Sequence, residues 1–150
     1  MPDLRELYQE VILDHHKKPR NCRKPPDANK HADGFNPLCG DKVTVYLRVE
    51  DGIIRDIAFQ GSGCAISTAS ASMMTETLKG KSQADVERIF ERFHNLVTGK
   101  TSGNSDNAGL GKLEVFTGVR DYPVRVKCAT LAWHTMRAAL ADIKETVATE

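Results

Sequence analysis

The sequence predicts an α+β chain, in which a small antiparallel sheet of about three strands is accompanied by several α-helices. Three observations predict it. Residues 42–50 alternate apolar and polar and are followed at once by a turn pair and a second strand-like run. Helical periodicity dominates on both sides of that pair. Strands grouped together, rather than alternating one by one with helices, favour α+β over a parallel α/β sheet.

The first helix is expected from about Asp3 to about His16, because Leu4, Leu7, Tyr8, Val11 and Ile12 fall at helical spacing and Pro19 stops the run. His15, His16, Lys17 and Lys18 suit the negative end of a helix dipole, and both histidines are read as solvated bases rather than metal ligands. Residues 19–38 read as a loop, with an extended edge piece near His31–Asn36. Cys22 stands in it beside Arg20, Arg23 and Lys24, as an exposed thiol to which no role is assigned.

Val43, Val45, Leu47 and Val49 share one face of the strand Lys42–Glu50, and Ile53–Gln60 forms the next strand. A two-residue loop would set Leu47 against Asp56 and Arg48 against Arg55. A three-residue loop, Glu50-Asp51-Gly52, pairs Val45 with Ile57 and Val43 with Phe59 and keeps one face apolar, so the longer loop is expected, with Val49 and Ile53 on the same face.

A helix of small residues should run from about Ile66 to Lys79, with Gly80 as its stop. The preceding Gly61-Ser62-Gly63-Cys64 lacks the Lys-Ser/Thr pair of a phosphate loop. Ser82-Gln-Ala-Asp85 resembles a capping box, and Val86, Ile89, Phe90, Phe93, Leu96 and Val97 form the apolar face of the helix it opens. Residues 98–107 are polar and expected to be mobile, and Leu110, Leu113, Val115 and Phe116 suggest a short helix. Pro123 opens a last helix whose core face is Ala129, Ala132, Trp133, Met136, Leu140 and Ile143, with His134 off that stripe at the surface.

The totals limit the function classes. At 150 residues, one domain spanning 1–150 is expected. The chain is 40% hydrophobic, 27% charged and of net charge +1, which points to no nucleic-acid or membrane partner. The charged start Met1-Pro-Asp-Leu-Arg-Glu has no signal-peptide character, so a cytoplasmic location is expected. Four cysteines in such a chain read as buried thiols, metal ligands or reactive thiols rather than a disulfide framework.

Cys39-Gly40-Asp41 looks like half of a metal site, because Gly40 permits a bend that turns both side chains toward one ion. Cys64 and Cys128 each fall near the start of a helix, where a thiolate is stabilised. Arg125 and Lys127 would offset the negative charge of such a set. Three thiols and a carboxylate suit tetrahedral zinc or iron–sulfur chemistry. Without a Cys-x-x-Cys pair, spacing alone leaves open both this reading and that of scattered core cysteines. A hydrolytic zinc site would need an open position and a second carboxylate, which the pattern does not supply.

Four stretches carry a resemblance: Leu7-Tyr8-Gln-Glu-Val-Ile-Leu-Asp14-His15 with Pro19-Arg20-Asn21; Asn36-Pro37-Leu38-Cys39-Gly40-Asp41; Gly61-Ser62-Gly63-Cys64-Ala65-Ile66-Ser67; and Arg125-Val126-Lys127-Cys128-Ala129-Thr130-Leu131-Ala132-Trp133. The chain resembles the U-type iron–sulfur cluster assembly family, the NifU N-terminal-like and IscU-like scaffolds, and is most similar to its SufU branch. IscU-branch members place His directly before the last cysteine, where this chain has Lys127, and the SufU branch carries a longer segment before that cysteine, which the stretch from about Val86 to Gly118 resembles. The IscU-branch chaperone motif is not intact in Asp121-Tyr122-Pro123-Val124-Arg125.

The resemblance implies helices packed against the small sheet. It implies zinc held by Cys39, Asp41, Cys64 and Cys128, or alternatively iron or a 2Fe-2S cluster on the same residues. It implies a SufS-like pyridoxal-phosphate cysteine desulfurase as partner, with downstream SUF assembly proteins beyond it. Cys39 would leave the metal and accept sulfur, a sulfurtransferase-like role, and the alternative is a scaffold that builds and hands on a cluster.

Overall fold

Hydrophobic alternation and helical stripes assemble into the order α1 (Leu4–Lys17), β1 (Lys30–Asn36), β2 (Asp41–Glu50), β3 (Ile53–Ser62), α2 (Ala65–Leu78), α3 (Gln83–Thr98), α4 (Pro123–Leu140) and β4 (Val147–Ala148). The computed structural model describes residues 4–37, 40–98, 113, 115, 116, 119, 122–143 and 146–148. The strands are ordered β3-β2-β1-β4, with β1, β2 and β3 antiparallel neighbours. The α+β architecture is as expected.

Val43, Val45 and Leu47 of β2 and Ile54, Ile57 and Phe59 of β3 are buried on one face. The long α4 packs across β1 and β2, and α2 lies against α1, α4 and β3. Trp133 is fully buried, stacks on Phe93 with ring centroids 4.5 Å apart, and donates its indole N–H to Ser70 Oγ at 3.0 Å. The α3 stripe Val86, Ile89, Phe90, Phe93, Leu96 and Val97 is buried as its periodicity requires. Ser82 Oγ accepts the Asp85 N–H at its start. Leu113, Val115 and Phe116 are buried in 3₁₀ turns. Leu110 and the polar stretch beyond Thr98 lie outside the described residues. No helix among the described residues is long and apolar enough to cross a membrane.

Several expectations are corrected. The β2–β3 loop has two residues, not three: Glu50 pairs with Ile53 across Asp51 (φ 54°) and Gly52 (φ 73°). Both central residues are left-handed, as in a type I′ turn whose twist matches the strands. Val49 then pairs with Ile54, so Val49 and Ile53 lie on opposite faces. The extra residue needed to keep one face apolar is Arg55, at a bulge where the register steps to Arg48–Asp56. Beyond it Leu47 meets Ile57 and Val45 meets Phe59.

His15 is buried rather than solvated. Its Nδ1 lies 2.7 Å from Ser72 Oγ and its Nε2 lies 3.5 Å from Glu76. It stands four residues after Val11 and three after Ile12, on the stripe that faces the core. Ile143 is not on the α4 stripe. The helix ends earlier, with Asp142 left-handed (φ 58°), its N–H on Ala139 O and the Ile143 N–H on Ala138 O, a Schellman closure that turns Ile143 outward. His134 is half-buried, its ring edge-on to Phe90 at 5.3 Å. The short β4, parallel to β1 through Gly34–Val147 and Phe35–Ala148, was not anticipated.

Candidate metal centre

Three elements converge at one end of the sheet. The turn from β1 to β2 closes with Asn36 opposite Asp41 and the Gly40 N–H on Asn36 O at 2.8 Å. Gly40 has φ +71°, so the bend assigned to it is present. Asp41 is fully buried at the start of β2. The pairing of Lys42 with Ser62 carries the end of β3 alongside, which brings Cys64 next to Asp41.

Cys64 is the N-cap of α2, with extended backbone (φ −71°, ψ 169°). Its Sγ accepts the Ser67 N–H at 3.4 Å, as a capping side chain does. Its own N–H donates to Asp41 Oδ1 at 2.9 Å. That contact is possible because Gly63 has no Cβ: one built there would lie 2.5 Å from Asp41 Oδ1. Cys128 lies in the second turn of α4 and is buried.

The ligand atoms of Asp41, Cys64 and Cys128 all fall within 4.8 Å of one another. Asp41 Oδ2, the oxygen not engaged by the Cys64 N–H, is 3.9 Å from Cys64 Sγ. Zinc–sulfur and zinc–oxygen bonds of about 2.3 and 2.0 Å give a tetrahedral S···O edge of about 3.5 Å. The pair therefore stands close to the separation such an ion requires. Two thiols and a carboxylate are also the donors that zinc and iron share. The residues present fit a metal ion.

The Cys64 thiol is drawn down from its ordinary value to about 7. A hydrogen bond with Cys128 is the main cause, aided by backbone N–H groups of Ser67 and Ile66, while burial and the Asp41 charge oppose it. A thiol so poised gives up its proton readily, which a metal ligand must do.

Of the residues singled out in the sequence, Asp41, Cys64 and Cys128 meet, whereas Cys39 lies outside the described residues. Arg125 is exposed, its guanidinium 5.0 Å from the Tyr122 ring centroid, and Lys127 is half-buried. Among the described residues neither forms an ion pair. Cys22 is exposed and apart from the cluster. One oxygen of Asp41 is tied to the backbone through the Cys64 N–H.

Sequence reasoning assigned no role to Asn36, Gly63 or Ser67. Asn36 had a signal: it is in phase with Ala32 and Gly34 on the buried face of β1, where a polar side chain needs partners.

Against known proteins, a family model described as the NifU-like N terminal domain matches residues 7–129. The chain is 39% identical over 139 residues to the zinc-dependent sulfurtransferase SufU of Bacillus subtilis (strain 168), covering 93% of this chain and 92% of that protein. It is 38% identical over 137 residues to the iron–sulfur cluster assembly scaffold protein IscU of Thermotoga maritima, covering 91% and 94%. A crystal structure of a candidate iron–sulfur cluster assembly scaffold of the SUF system from Fervidobacterium islandicum superposes with a TM-score of 0.82 at 36% identity, covering 90% of this chain and 97% of that one. The N-terminal part of a NifU-like protein from Brucella abortus shares the fold, with a TM-score of 0.82 at 22% identity, covering 93% and 96%.

Proposed function

The chain belongs to the NifU-like N-terminal domain family, and from that membership we propose that it serves iron–sulfur cluster assembly as a zinc-dependent sulfur acceptor. The observation that carries this reading is the convergence of Asp41, Cys64 and Cys128, whose ligand atoms lie within 4.8 Å of one another. Cys39 completes the ligand set, and Arg125 and Lys127 moderate its negative charge. A bound zinc ion would hold the coordinating thiols as thiolates at neutral pH.

The partner is a SufS-like cysteine desulfurase in the cytoplasm, and SUF assembly proteins take the sulfur onward. The Cys39 thiolate attacks the outer sulfur of the desulfurase persulfide. The S–S bond breaks, its electron pair leaves with the desulfurase cysteine as a thiolate, and Cys39 holds the new persulfide. Cys64 and Cys128, seated on α2 and α4, stay as anchors through this step.

The decisive experiment compares desulfurase turnover with zinc-loaded, metal-free and Cys39→Ala protein. Zinc-loaded protein should stimulate turnover, and the other two should not. Equal stimulation by the Cys39→Ala protein would sink the acceptor role. A second reading, a scaffold whose cargo is the cluster itself, is favoured by the 38% identity to an IscU scaffold. Reconstitution followed by rapid cluster transfer to an apo-acceptor, with no effect of zinc on desulfurase turnover, would select it.

A further inference from the structure

Asn36 is the last residue of β1 and is fully buried. Its main chain is held in the turn, with its carbonyl accepting the Gly40 N–H at 2.8 Å. Its side chain points into the cluster. Nδ2 lies 3.5 Å from Asp41 Oδ2 and 3.5 Å from Cys128 Sγ. One primary amide nitrogen carries two hydrogens in a fixed fork, so it can address both acceptors at once. The first distance is long for an N–H···O bond, whereas the second is an ordinary one for sulfur.

We propose that Asn36 is a positioning residue that ties Asp41 to Cys128 and quiets the Cys128 sulfur, so that Cys128 serves as an unreactive anchor for the metal. The proposal rests on the metal-binding reading given above and deepens it. The chemistry follows from charge. Asp41 and Cys128 are far apart in sequence, and both must be anionic to bind a metal. Bringing two anions together in a buried site is unfavourable unless a donor stands between them. A neutral amide provides that donor without adding an ionic group of its own. A sulfur that accepts an N–H bond also has less electron density for attack on an electrophile, and groups that orient metal ligands commonly set affinity by about 10- to 100-fold. Where three thiols could compete to receive sulfur, a donor on one of them biases reaction toward the others.

The test uses the full-length protein. Asn36→Leu keeps a branched side chain and removes both donors, and Asn36→Ser keeps one donor. Zinc affinity is measured by competition with a chromophoric chelator, and alkylation of each cysteine in the zinc-loaded protein is followed by peptide mapping. Asn36→Leu should weaken zinc binding by about tenfold or more and speed Cys128 alkylation, with Asn36→Ser in between. In the unaltered protein, NMR of the Asn36 side-chain amide should show its proton shifted and protected from exchange on zinc loading, a reading that survives if the variants fail to fold. Parent-like affinity and Cys128 reactivity in Asn36→Leu, or an Asn36 amide indifferent to zinc, would overturn the proposal. An unaltered protein that binds no zinc at all would instead overturn the metal-binding reading.

Discussion

Gly63 leaves the space that the Asp41 carboxylate occupies: a Cβ at residue 63 would stand 2.5 Å from Oδ1 and 3.1 Å from Cγ. The atom in the way belongs to a short, fully buried side chain rather than to the far end of a flexible one. Gly63→Ala should therefore push Asp41 off the Cys64 N–H. An orphaned buried hydrogen bond costs about 1–3 kcal/mol. We expect chemical denaturation to show a loss of that size, together with weaker zinc binding by chelator competition. An alanine variant with parent-like midpoint and affinity would contradict this arrangement.

Ser72 is the meeting point of α1 and α2. Its Oγ accepts the Arg20 N–H at 2.8 Å and lies 2.7 Å from His15 Nδ1, with Ser72 and His15 both buried. Ser72→Ala removes a partner from two polar groups at once and should cost about 1–3 kcal/mol of stability. Urea titration measures the loss, and hydrogen exchange should rise first in α1. Since α1 contributes none of Asp41, Cys64 or Cys128, zinc affinity should change little.

The β2–β3 turn makes a cleaner test, because nothing lies within 4 Å of the position where a Cβ on Gly52 would stand. Any effect of Gly52→Ala is then backbone strain at φ +73°, worth about 1 kcal/mol. A shift of that order in the denaturation midpoint is expected. A stabilised variant would mean that the left-handed turn is not formed in solution.

Acid should loosen the α3–α4 contact through His134. Burial holds its pKa below the ordinary 6.5, and the nearby His94 and Arg137 charges push the same way. The unfolded chain then binds the proton more readily than the folded one. Stability is unaffected above the unfolded value and is lost as pH falls from about 6.5 toward the folded value. His134→Gln should flatten the pH dependence of the thermal midpoint between about pH 5 and 7. An unchanged slope would assign that sensitivity elsewhere.

How far the sequence could be read depended on the range of the interaction. The alternation of residues 42–50 and the stripe from Val86 to Val97 are local patterns, and both elements stand where periodicity puts them. The demand for an apolar face on the hairpin was also legible, but it can be met by an extra residue in the loop or in the strand. Backbone twist, invisible to hydrophobicity, selects the bulge at Arg55. The two residues of β4 are too short to carry a period. At the site, the chemistry of Asp41, Cys64 and Cys128 could be named from residue type and helix position. Their convergence could not be derived from spacing, because it depends on α4 packing over β1 and β2. Asn36 and Gly63 stand in motifs that the sequence shows, but their roles do not, because one acts through a buried amide and the other through a missing atom.

The division of labour within the Asp41 carboxylate limits what the cluster can hold. Oδ1 accepts the Cys64 N–H and Oδ2 faces the Asn36 amide, so part of the lone-pair capacity of each oxygen is already in use. Calcium wants roughly six to eight oxygens, and magnesium an octahedron of them. Among the described residues the cluster offers a single carboxylate beside its sulfurs, far short of either set. The abundant hard cations of a cell thus find too few oxygens here, before any preference of sulfur for softer metals comes into play.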